Sequence, residues 1–381
     1  MGEYPDAESY RVRLYGSLCL TGKGHGTDRV MRQVFGDRPL KIEFVEHPGF
    51  PLAHPNTMDL IAYRESRQAG FWRVRSVGGG EIEIDGRPAL ATEERYPQQS
   101  FSEIVSYCKK HRMTLPQFAR QFDRPELYRH LEQVWMVMKR AVAEGIRAEG
   151  ILPGGLSVRR KAAMLYNGTI ENERAATYES RILSAYAFAV SEQNASGGII
   201  TTAPTCGACG VLPAVLLQAQ ESGGYRDEEI LDALAAAGIV GNVIKSNASI
   251  SGAECGCQAE IGTACCMATT ALAQLRHYSF RQIEYAAENA MEHYIGLTCD
   301  PVCGLVQIPC IERNSVAAQR AVHAAMLAGV VSNTQKVSFD CIVNNMYETG
   351  RDLLSAYRET SVGGLAKLYG KAGRVSGAAG R

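Results

Sequence analysis

Residues 149–165 read EGILPGGLSVRRKAAML, a glycine- and proline-rich break running into a basic turn, and the fold class turns on this stretch. Before it, short runs alternate apolar and polar residues. YRVRLYGSLCL (10–20) has the period-two pattern of a strand, and FWRVRSVGGGEIEIDGRPAL (71–90) reads as a strand, a glycine turn and the return arm of a hairpin. After it, nearly everything repeats apolar residues at three- and four-residue steps. Asp227 is placed to cap one such helix, Ser279 to cap another, and Gly296 to end it. The expected architecture is an α+β N-terminal domain (1–95), a helical linker region (96–150) and an all-α helical domain (151–370), the candidate catalytic part. A polar, glycine-rich tail (371–381) is expected to be disordered.

Composition removes several classes of function. Lys+Arg and Asp+Glu each total 40 of 381 residues, so no excess charge points to nucleic acid or an anionic membrane. No apolar run approaches the roughly 18–20 residues of a membrane span. The opening MGEYPDAESYR is charged and lacks the apolar centre of a signal peptide, and Asp6 stands where a myristoylation signal carries Ser or Thr. A cytoplasmic protein is expected, in which twelve cysteines are reduced or bound to metal.

Most of those cysteines fall in groups: Cys206 and Cys209, Cys255 and Cys257, Cys265 and Cys266, and Cys299, Cys303 and Cys310. Their spacing fits neither a structural zinc site nor a ferredoxin run cleanly. Three ligands drawn from loops between helices remain one reading, and small buried hydrophobes are the other, the better one for Cys265, Cys266 and Cys341. GGIITTAPTCGACGVLPAVLL (197–217) is an apolar run, a Thr/Gly loop and an apolar helix, whose backbone N–H groups suit a carboxylate. Thr202, Thr205 and Gly207 are its candidate substrate contacts, with helix capping and packing as the alternative. His25 in TGKGHGTD and His54 in AHPNTM occupy polar turns, where histidines serve either catalysis or nothing beyond the surface. Lys245 lacks the surroundings of a pyridoxal phosphate lysine.

Taken together, YGSLCLTGKGHGTD (15–28), HPNTM (54–58), RVRSVGGG (73–80), EGILPGGLSVRRKA (149–162), TAPTCGACGVLPAVL (202–216), SGAECGCQAEIG (251–262), GLTCDPVCGLVQIPCIERN (296–314) and ETSVGGLA (359–366) resemble the iron–sulfur-dependent bacterial L-serine dehydratases, or L-serine ammonia-lyases. The resemblance runs from about residue 12 to residue 368. It implies a [4Fe-4S] cluster on Cys257, Cys299 and Cys310, leaving Cys255 and Cys303 as extras. It further implies L-serine as substrate, pyruvate and ammonia as products, and a homo-oligomer without nucleic-acid or membrane partners. L-cysteine desulfidation is the neighbouring activity. Fused members of that family begin with a Gly-Pro-Ser-Ser-Ser-His-Thr stretch ahead of the LYGSL strand, which this sequence does not include. The base is therefore expected to be His54 or His25, with His54 slightly favoured, unless another subunit supplies it or the chain is an impaired homologue. Asn56, beside His54, is a further candidate substrate contact. Cys206 replaces an asparagine of the family pattern, which bears on the substrate.

Overall fold

The computed structural model describes residues 3–87 and 96–369. Five strands, β1 (Ser9–Leu14), β2 (Leu40–Phe44), β3 (Thr57–Arg64), β4 (Arg67–Gly78) and β5 (Glu81–Ile84), form one sheet in the order β2-β1-β3-β4-β5. Only β1 and β2 run parallel, and that pairing needs a crossover. Two helices provide it, α1 (Gly16–Thr21) and α2 (Thr27–Phe35). Along β1, Tyr10, Val12 and Leu14 face inward, the alternation expected of a sheet covered on one side. β4 turns into β5 through Gly78, Gly79 and Gly80, all at positive φ, where a side chain would be strained.

The strand expected over 10–20 is half strand and half helix. Gly16, at φ +54°, turns the chain against the backbone carbonyl of Pro55, too close for a Cβ, and α1 starts there. The 10–20 pattern alone did not reveal this break.

The rest is helical: α3 (Phe101–His111), α4 (Leu115–Phe122), α5 (Leu127–Gly145), α6 (Ala162–Asn167), α7 (Ala175–Ala195), α8 (Val211–Gly223), α9 (Asp227–Asn247), α10 (Gly252–Cys255), α11 (Thr263–Leu275), α12 (Phe280–Glu292), α13 (Cys310–Val331) and α14 (Phe339–Asp352). An α+β N-terminal part thus precedes a mostly helical one. Helix α11 is the centre, packed against α8, α9, α12 and α13. Buried on nearly every face, it has no polar stripe, and its alanines and threonines let neighbouring helices approach closely. Cys265 and Cys266 lie in it as small buried groups whose thiols face the carbonyls of Ala317 (3.4 Å) and Ala287 (3.2 Å). Cys341, by contrast, is exposed.

Residues 96–150 do more than connect. Phe101, Phe118, Trp135 and Met138 of α3–α5 are buried in the same core as α11, because their amphipathic faces need that surface. Ser279 caps α12 in a reciprocal box with Gln282. Asp227 does not cap α9. Arg226 stands at the N-cap, its N–H donating to Glu229, while Asp227 accepts from the Trp135 indole at 3.1 Å. Gly296 comes after the end of α12, in the following turn. The residues expected as a disordered tail lie outside the described part of the chain.

Sheet and helices meet along a polar seam. Lys245 pairs with Glu81 at 3.0 Å, and the Ser17 hydroxyl donates to the carbonyl of Glu359 at 2.9 Å. Gly24 lies against the carbonyl of Gly304, an approach only glycine permits. Among the described residues no helix is long and apolar enough to cross a membrane.

Candidate active site

Three turns of the helical part carry the cysteines that matter. Cys257 follows Gly256, which is at φ +75°, and begins a single π-helical turn (Gln258–Gly262) leading into α11. π-turns of this kind recur at functional sites. Cys310 is the first residue of α13, just after Pro309. Cys299 lies in an extended segment bridged to Arg358: its N–H donates to the Tyr357 carbonyl at 2.8 Å, and its own carbonyl accepts from Glu359 N at 2.8 Å. That pairing carries Glu359 to the site from near the end of the described chain.

Cys257, Cys299 and Cys310 line one cavity of about 210 Å³. His25, Asn56 and Ser76 close it from the sheet side, and Thr205, Gly207, Glu260 and Glu359 from the helical side. Seven of the nine candidates read from the sequence therefore meet here. The other two do not line this cavity. Thr202 is exposed, and His54 stands behind Asn56, its Nδ1 accepting the Asn56 N–H at 3.0 Å. Cys303, at φ +55°, is exposed and off the wall, and Cys255 is buried against Gly350.

Four functional neighbours had no role assigned from the sequence. Glu260 accepts the Thr205 hydroxyl at 2.7 Å and lies 4.0 Å from the Cys299 sulfur. Gly252 and Gly207 pack against its carboxyl, leaving no room for a side chain at Gly252. Glu359 faces the His25 Nε2 at 3.5 Å. Arg313 donates to the Thr298 carbonyl at 2.7 Å and lies beside the Cys257, Cys310 and Cys299 thiols. Asn314 is 1% exposed and ties the Gly207–Gly210 turn to α13. All four fall inside stretches quoted above, GCQAE, ETSVGG and CIERN, but no spacing rule distinguished them from their neighbours.

The electrostatics follow from burial and from these contacts. A hydrogen bond from Cys299 draws the Cys257 thiol below its ordinary range, with Arg313 adding to the effect, and the same bond pushes Cys299 up. Burial raises Cys310, Glu260 and Glu359. It lowers His25 to about 4, so its imidazole is unprotonated near pH 7 and free to accept a proton. Among the described residues no three His, Cys, Asp or Glu side chains converge on a single metal ion. The three thiols share a wall, not a point.

A small pocket of thiols, carboxyls and one imidazole, set in the seam between a sheet and a helical body, is that of an enzyme acting on a small polar molecule. The chain belongs to the serine dehydratase alpha-chain family, whose model matches residues 65–366. It is 36% identical to the L-serine dehydratase of Haemophilus influenzae, over 96% of this chain and 90% of that protein. L-serine dehydratase 1 of Escherichia coli is 37% identical over 93% of this chain and 88% of its own length. The L-serine dehydratase of Streptomyces coelicolor is 38% identical, over 94% and 89%.

Proposed function

We propose that this protein is an L-serine ammonia-lyase that converts L-serine to pyruvate and ammonia with a [4Fe-4S] cluster. The observation that carries the reading is the meeting of three cysteines, an unprotonated histidine and two partly buried carboxyls in one small cavity. The relatives named above, matched along nearly their whole length, support L-serine as the substrate.

The donor set suits such a cluster. Thiolates are its usual ligands, and each binds a different iron, so thiols spread along a wall fit it better than they fit one zinc ion. Cys257, Cys299 and Cys310 would hold it, and the Arg313 guanidinium would offset part of their negative charge. When bound, the cluster supplies a Lewis-acidic iron with a coordination position that these three thiolates leave open.

The protein's own groups do the remaining work. Gly207 offers its backbone N–H to the substrate carboxylate, and Asn56 offers an amide. His25 takes the α-proton, and Glu359, 3.5 Å away, stabilises the imidazolium that results. His54 serves as a positioning residue that fixes the Asn56 turn. Glu260 and Thr205 hold the carboxyl side of the cavity in place. Once water has left, the aminoacrylate product hydrolyses to pyruvate and ammonia. The amino-acid degradation role and cytoplasmic setting belong to the same reading.

The test is anaerobic reconstitution with iron and sulfide, followed by pyruvate release from L-serine and sulfide release from L-cysteine. Faster turnover of L-serine supports the reading. Preference for L-cysteine reassigns the protein as a desulfidase, and a loaded but inert protein marks it as an impaired homologue.

A further inference from the structure

Cys206 has no part in the reaction above, yet it lines the same cavity as Cys257, Cys299 and Cys310, and no other cysteine among the described residues does. Three contacts fasten its turn to the elements bearing the other thiols. The neighbouring Thr205 hydroxyl donates to Glu260 at 2.7 Å, on the π-turn that Cys257 begins. The same carboxyl lies 4.0 Å from the Cys299 sulfur. Asn314 Nδ2 donates both to the Gly207 carbonyl at 2.8 Å and to the Cys310 carbonyl at 2.9 Å, while its Oδ1 accepts from Gly210 N at 2.8 Å. On its other side, Asn194 holds the Cys206 carbonyl at 3.2 Å.

Position separates Cys206 from its near neighbours. Cys209, three residues on, is buried and directs its sulfur toward the Val190 carbonyl at 3.9 Å. Cys206 is exposed and also lines an adjoining cavity of about 310 Å³, walled by Lys23, Asp28, Arg29 and Gln307. The two cavities share Cys206, His25 and Val306, so this thiol stands where they adjoin.

We propose that Cys206 is a fourth thiolate ligand of the cluster in the substrate-free enzyme and yields its position to substrate. The assignment rests on the cluster reading above. A thiolate is a soft ligand suited to iron in a cluster, and one tethered beside the site competes at high effective concentration. Its release is a substitution without redox change. The sulfur leaves with its electron pair and is protonated by solvent, and the substrate oxygen supplies the replacing pair.

The test compares wild type, Cys206→Ala and Cys303→Ala, each reconstituted anaerobically as the full chain. Iron and sulfide content should be the same in all three, because three thiolates suffice to retain the cluster. On exposure to ferricyanide, Cys206→Ala should lose iron about tenfold faster and accumulate the [3Fe-4S] EPR signal, whereas Cys303→Ala should behave as wild type. Adding L-serine to the wild type should remove its protection. Equal rates of iron loss in wild type and Cys206→Ala overturn the fourth ligand and leave the three-cysteine cluster standing. If wild type takes up no iron–sulfur absorbance, the cluster reading itself fails, and the fourth ligand with it.

Discussion

The His25 imidazole and the Glu359 carboxylate stand 3.5 Å apart, one from the turn that follows α1 and the other from near the end of the described chain. Replacing His25 by Ala should lower kcat by about 10²–10⁴-fold with iron content unchanged, the usual range for losing a general base. Exchange of the serine α-proton in deuterated buffer should disappear with it. His54→Ala should have a far smaller effect, because its ring holds Asn56 and does not line the cavity. Equal losses in the two variants would return His54 to the role of base.

Cys257, Cys299 and Cys310 should each prove necessary for cluster retention. An Ala at any one of them should abolish the brown absorbance after reconstitution, while Cys303→Ala should retain it, since Cys303 is exposed and away from the wall. Iron and sulfide counts read the result directly. A colourless Cys303 variant beside a coloured Cys257 variant would refute the ligand assignment.

Thr205→Val removes the hydroxyl that Glu260 accepts at 2.7 Å. A hydrogen bond to an ionisable partner in a small pocket is worth about 1–2 kcal/mol, so KM for L-serine should rise roughly five- to thirtyfold with the absorbance unchanged. An unaltered KM would remove Thr205 from substrate binding and leave it a structural contact.

Away from the site, Glu288 on α12 is 5% exposed, and burial, reinforced by Glu292 and Glu284, lifts its carboxyl from 4.5 to about 7. The folded state therefore binds this proton more tightly than the unfolded state. The resulting stability is fully present below pH 4.5 and is lost as pH rises through 7. Glu288→Gln removes that dependence. It should stabilise the protein at pH 8 relative to pH 5, by on the order of 1–3 kcal/mol in urea unfolding. The same difference at both pH values would contradict the shift.

Much of this arrangement was legible because it depends on local pattern. The glycine turn between β4 and β5 and the Ser279 cap both rest on residues within a few positions of each other. The cysteine-bearing turns stood out through residue type. Glu359 could not be read in the same way. It reaches the cavity only because Cys299, some sixty residues earlier, pairs with Arg358, and no window of sequence contains both partners. Glu260 escaped notice for a different reason. On an ordinary helix its direction would follow from Cys257, but the π-turn between them changes the spacing. His54 looked better than His25 because a proline stiffens its turn, yet the ring's Nδ1 is spent within that turn.

The pairing of Cys299 with Arg358 also fixes when the site can exist during synthesis. A ribosome releases His25 more than three hundred residues before Glu359, and the segment that seats Cys299 emerges with the latter. Until then the cavity lacks a wall, however completely the central helices have packed. A cofactor held by the complete wall can be seated only after residues 355–359 have left the ribosome. A nascent chain stalled upstream of residue 355 would lack both the partner strand of Cys299 and the Glu359 side of the cavity.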